Sequence, residues 1–173
     1  MKFEDIPQFI RSSYSIDVHW SQLEWTLEGF KKDYGLDMEP DFQRGHVWDD
    51  AKRIAYVEFV LRGGQSGKAL YFNCPGFDDG GKIGTMVMVD GFQRINAALK
   101  FMHNEIPVFG YKIKEFENDK MRGHVARFHV NVNSLKTRKE VLQWYLDLNT
   151  GGVVHSDSEI KKVKKLLEQE QSK

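Results

Sequence analysis

One cysteine, Cys74, stands among 173 residues. No disulfide can form within the chain, which suits a reducing compartment. No apolar run approaches the length of a membrane span, and the opening "MKFEDIPQFIRSSYS" lacks the hydrophobic centre of a signal peptide. Excess charge is missing too. The 25 basic and 25 acidic side chains cancel, which removes any global pull toward DNA or an acidic membrane but leaves room for a local basic patch. Repeat arrays and low-complexity linkers are also absent. These absences point to a cytoplasmic protein without membrane association. With 40% hydrophobic and 29% charged residues, the chain has the means for one compact globular domain over residues 1–173.

The hydrophobic spacing alternates between strand and helix periods. "YSIDVHW" places Ile16, Val18 and Trp20 on one face of a half-buried strand. Ser21 and Glu24 have capping-box spacing before Leu23, Leu27 and Phe30, and Gly35 stops that helix. Pro40 leads into "DFQRGHVW", read as a short strand turning into a loop. Asp49 or Asp50 caps a helix carrying Ile54, Val57 and Leu61 on one side. "ALYFNC" and "TMVMVD" read as strands, followed by a helix to about His103. "IPVFGYKI" and "ARFHVNVN" are further strands. A helix from about Thr137 ends at "NTGG", and Ser156 with Glu159 opens a C-terminal helix in residues 156–173. The order predicts an α+β fold, a mixed sheet flanked by helices.

Chemistry concentrates at "VMVDGFQRINAAL". Phe92, Ile95, Leu99 and Met102 share one helical face, so Gln93 and Arg94 point away from it. An arginine in the first turn meets the positive end of the helix dipole and is disfavoured there without an anion. A helix start also gathers N–H groups that draw phosphate. Gly91 would let a ligand approach the backbone, Gln93 brings donors and an acceptor, and Arg94 brings a planar fork. The plainer reading makes Asp90 a cap that pairs with Arg94 four residues on. Composition alone does not choose between them.

Two other segments carry weaker signals. "DFQRGHVW" brings out Gln43 and Arg44, with His46 as an acid–base candidate and Trp48 as a loop anchor. Joined to Arg94, Arg44 would place two cations around one polyphosphate. "YLDLNTGGVVHSDSEI" reads either as a plain helix–turn–helix link or as a backbone nest. In the nest reading Asn149, Gly151 and Gly152 line an anion site, with His155 as a second acid–base candidate. "GGQSGKA" lacks the glycine and hydroxyl spacing of a P-loop and is read as a flexible connection. His124 and His129 lack the supporting ligands of a zinc site. The lysines of "EIKKVKKLLEQEQSK" are read as the solvated side of the last helix.

Taken in order, "DFQRGHVW", "VDGFQR" and "LNTGGVVHSDSEI" resemble the N-terminal domain of GmrS/GmrD-type restriction proteins, the DGQQR-motif domain of the ParB/sulfiredoxin-like superfamily. The likeness runs over residues 38–160. Phe92 stands where the family's motif has glutamine. No HNH-type nuclease segment follows in this sequence, so the resemblance is to a stand-alone, phage-type version rather than to a complete restriction enzyme. The resemblance implies a single ParB/sulfiredoxin-like domain that binds a nucleoside triphosphate with Mg2+, the choice among ATP, GTP and CTP staying open. It assigns Asp90, Gln93, Arg94 and Arg44 to catalysis. Gln43, Gly91, Asn149, Gly151 and Gly152 join them in binding, and Asp90 is the candidate magnesium ligand.

The expected function is phosphoryl transfer or NTP hydrolysis in DNA modification or phage–host DNA conflict, in bacterial cytoplasm. Three alternatives stand beside it: a kinase acting on a hydroxyl of a modified base or nucleoside, a non-catalytic nucleotide- or DNA-binding module that switches a separate effector protein, and a ParB-like nuclease.

Overall fold

The computed structural model describes residues 2, 6, 10, 13–43, 48–78, 83–117, 121, 123–150 and 157–171. The first strand, β1 (Tyr14–His19), feeds directly into α1 (Trp20–Tyr34). The helix begins at Trp20, one residue before the expected cap at Ser21. The Trp20 indole is drawn into the core against Phe128, and His19 takes over as N-cap by accepting the Ser21 N–H on Nδ1. Gly35 ends the helix in the left-handed conformation, as expected. Asp49 caps α2 (Asp50–Leu61) through the Lys52 N–H.

β2 (Ala69–Asn73), β3 (Val87–Asp90) and β4 (Arg127–Asn133) complete a four-stranded mixed sheet in the order β1-β4-β2-β3. The β1–β4 and β2–β3 pairs are antiparallel and the β2–β4 pair is parallel. Between β3 and β4 lie α3 (Phe92–Met102) and a short 3-10 turn at Ile113–Glu115. α4 (Arg138–Thr150) and α5 (Asp157–Gln171) follow. The molecule is therefore α+β, a mixed sheet with helices on both faces.

Alternation along the strands builds two cores. Leu70, Phe72, Met88, Phe128, Val130 and Val132 face α1, α2 and α3. Tyr71, Val87 and Val89 point the other way, where α4 and α5 bring Leu142, Trp144, Tyr145 and Val163. That second cluster takes no residue from β1 or β4, so their far side stays polar. There Asp17 pairs with His129 and, at 2.8 Å, with Arg127.

Two expected strands are corrected. "IPVFGYKI" forms only an isolated bridge between Val108 and Tyr111. Ile106 and Val108 do alternate into the core, but a tight turn at Phe109-Gly110 consumes the segment before it can pair with a neighbour. The described part of "DFQRGHVW" holds no strand either: 41–43 is a turn, and the pairing falls upstream, where Asp37 bridges Val87.

Candidate functional site

The β3–α3 junction is set by packing. Gly91 is the N-cap of α3, at φ +124°, and a Cβ there would lie 2.5 Å from Leu70 Cδ2. Glycine is thus demanded by the core behind the junction. The buried stripe is displaced from the expected one: Phe92 and Ile95 are buried together with Ala97, Ala98 and Phe101, whereas Leu99 and Met102 are only partly buried at its edge. Gln93 and Arg94 stay on the partly exposed side.

Arg94 Nη2 donates to Asp90 Oδ2 at 2.6 Å. With side-chain exposures of 20% and 27%, this is a half-buried pair, screened less than a surface one. The plainer reading of the sequence thus holds for the pair but not for the cap, a place Gly91 takes. Arg94 Nε is buried and has no hydrogen-bond partner among the described residues. Its aliphatic stem runs past Gly67, where a Cβ would lie 3.9 Å from Arg94 Cδ and 3.6 Å from Tyr56 Cε2.

Tyr56 closes this side of the site. Its hydroxyl donates to Gly67 O at 2.8 Å, and its ring meets Trp48 at 5.4 Å. Burial pushes the phenol pKa well above its ordinary value, against the opposing pull of the Arg94 charge. Tyr56 went unmarked in the sequence because it falls off the Ile54–Val57–Leu61 stripe. The aromatic ring is its only signal.

The two FQR segments are tied to each other through their glutamines. Gln43 Nε2 donates to Met88 O at 2.6 Å, two residues before Asp90. Gln93 Oε1 accepts the Trp48 N–H at 3.2 Å, next to Arg94. Gln43 and Trp48, which bracket residues 44–47, are therefore both fastened to the β3–α3 junction. Arg44 and His46 lie outside the described residues, as do Gly151, Gly152 and His155. Asn149 is inside α4, 8% exposed, and its Nδ2 donates to Tyr145 O at 2.6 Å in its own helix.

The P-loop lookalike is resolved by Lys68. Its side chain is 2% exposed and Nζ donates to Val125 O at 3.0 Å, so it faces away from any phosphate. The connection around it is fastened at Gly67 by the Tyr56 hydroxyl. Among the described residues no group of three His, Cys, Asp or Glu side chains is placed to hold a metal ion. No described helix is long and apolar enough to cross a membrane.

Comparison of the chain with protein-family models, curated proteins and solved structures gives no match.

Proposed function

We propose that the β3–α3 junction binds the phosphates of a nucleoside triphosphate and that the protein is an NTP-dependent phosphotransferase or NTP hydrolase. The carrying observation is Arg94: a half-buried guanidinium in the first turn of a helix, beside a carboxylate, with its Nε unpartnered among the described residues. The resemblance of three ordered motifs supports the same reading, and so does the anchoring of Gln43 and Trp48 on either side of Arg44. In this reading Arg94 leaves Asp90 to meet phosphate oxygens, and Arg44 adds the second positive charge. Electrostatic stabilisation of this kind supplies most of the catalysis in phosphoryl transfer. Gln93, whose Oε1 holds the Trp48 N–H, fixes a point four residues after Arg44 in addition to any phosphate contact.

Asp90 fits a magnesium ion in a limited way. It offers one carboxylate, and phosphate oxygens and water would complete the shell, which is the common habit of Mg2+. Bound there, the ion would neutralise polyphosphate charge. The test is a thermal-shift series with ATP, GTP, CTP and UTP, with and without Mg2+, paired with phosphate release. At least one nucleotide is expected to raise the melting temperature. Arg94→Ala is expected to abolish the shift and to lower turnover by about 100-fold or more. Unchanged turnover in Arg94→Ala overturns the assignment.

A non-catalytic switch module is the second reading, favoured by one observation. Both glutamine side chains are bonded to backbone as struts, and the resting Arg94 is already neutralised. A nucleotide-induced shift without phosphate release selects it.

A further inference from the structure

Outside the junction, one cluster of titratable side chains has the geometry of an oriented base. On the uncovered half of the sheet, Asp17 of β1 stands directly opposite His129 of β4, and its Oδ1 bonds His129 Nδ1. Its Oδ2 takes Arg127 Nη1 at 2.8 Å. A carboxylate only accepts, so the neutral imidazole carries its proton on Nδ1 and presents a lone pair at Nε2. That nitrogen has no partner among the described residues, and the side chain is 40% exposed.

The needs of the fold do not account for this cluster. Aspartate is a poor strand former, and exposed ion pairs contribute little to stability. An edge strand often carries charge to discourage pairing with another chain, but Arg127 neutralises this one.

Strand register ties the cluster to the junction. The β2–β3 pairing slips by one residue, so Asp90 rather than Val89 stands opposite Tyr71. Tyr71 and Ala69 share a face by alternation, and Ala69 is level with His129. Asp90, Tyr71, Ala69, His129 and Asp17 therefore lie on one face of the sheet. Trp144 packs against Tyr71 at 5.8 Å, while Ala69 beside His129 is only partly buried. The backbones of Asp90 and His129 are two strands and two residues apart, about 12 Å. A shorter link runs along the rim: the His129 N–H bonds Lys68 O at 2.9 Å, one residue from the Gly67 that the Arg94 stem passes. Arg94 and Arg127 also share a signature, an Nη on a carboxylate and a buried Nε without a partner among the described residues.

We infer that Asp17 and His129 form the general-base pair of the proposed phosphoryl transfer, and that the nucleophile is a hydroxyl lying on the open face of β1 and β4. This rests on the reading of the junction given above. His129 Nε2 takes the proton of the hydroxyl as its oxygen bonds the γ-phosphorus. The bond from that phosphorus to the β,γ-bridging oxygen breaks, and the nucleoside diphosphate leaves with the electron pair. Asp17 keeps the imidazole in the accepting tautomer and steadies the imidazolium, which then yields its proton to solvent. The hydroxyl belongs to water or to an alcohol, which the experiment separates.

Turnover of γ-labelled nucleoside triphosphate by the full chain, with Mg2+ and with thymidine as the added alcohol, tests the pair. Label in free phosphate assigns water, label on thymidine assigns an alcohol, and either supports the inference. His129→Gln is expected to lower kcat by about 100-fold or more, with KM and the nucleotide-induced thermal shift unchanged. Asp17→Asn should act in the same direction. Added imidazole should restore part of the turnover of His129→Ala, a response that a merely structural histidine does not give. His103→Gln, at the far end of α3 beside Glu24, should turn over as the parent does. Parental kcat in His129→Gln overturns the inference and leaves the Arg94 reading intact, as does a nucleotide-induced shift without turnover in the parent. Loss of turnover together with a lowered melting temperature and no imidazole rescue assigns His129 to the fold and overturns it too. Absence of any nucleotide-induced shift in the parent removes the junction reading and this inference together.

Discussion

A methyl group on Gly91 would meet Leu70 at 2.5 Å from a backbone conformation that L-residues rarely adopt. Gly91→Ala is therefore expected to cost roughly 2–4 kcal/mol, read as a lower urea midpoint with an unchanged m-value. Lys68 tests the opposite situation, a charge carried into the core. Desolvation, and then repulsion from Arg127, hold its pKa below the ordinary 10.5. As pH rises between the folded value and 10.5, the folded protein releases a proton that the unfolded chain still holds, so stability rises with pH in that window. Below the folded value both states are protonated and the full burial cost is present. Lys68→Met is thus expected to be at least as stable as the parent near pH 7. Its advantage should shrink as urea melts are repeated toward pH 10.5.

Capping decides how α4 is held. Thr137 and Glu140 form a box at its start: Glu140 Oε2 accepts the N–H groups of Lys136 and Thr137 and the Thr137 hydroxyl, and Thr137 Oγ1 accepts the Glu140 N–H. The Thr137 N–H, first among these, holds the Glu140 carboxyl below its ordinary 4.5. That stabilisation is present above pH 4.5 and drains away as pH falls through the folded value. Glu140→Gln should cost about 1 kcal/mol at pH 7, and the gap to the parent should close in acid. Helices of this kind were legible in the sequence, because Gly35, Asp49 and the apolar stripes of α1, α2 and α3 are local signals. The segment at residues 106–113 was not. Its strand-like alternation is real in Ile106 and Val108, but pairing depends on a neighbour that no local pattern reveals. Trp20 misled for a similar reason, since its burial against Phe128, more than a hundred residues away, moved the start of α1.

At the scale of the molecule, the mixed sheet could be anticipated from the alternation of periods. Its division into two cores could not, because which face α4 and α5 cover is settled by long-range contacts such as Tyr71 with Trp144. The junction was found in the sequence through a helix-first-turn arginine after a strand ending in Asp-Gly. Tyr56 and the struts from Gln43 and Gln93 became visible only in three dimensions. The Asp90–Arg94 pair has one more consequence. Its carboxylate is tethered four residues from the guanidinium and so competes with any incoming anion at a very high effective concentration. Chloride, acetate or a lone monophosphate starts at a disadvantage against such a rival. Under the function proposed above, occupancy is thereby reserved for anions that bring several charges and several contacts at once.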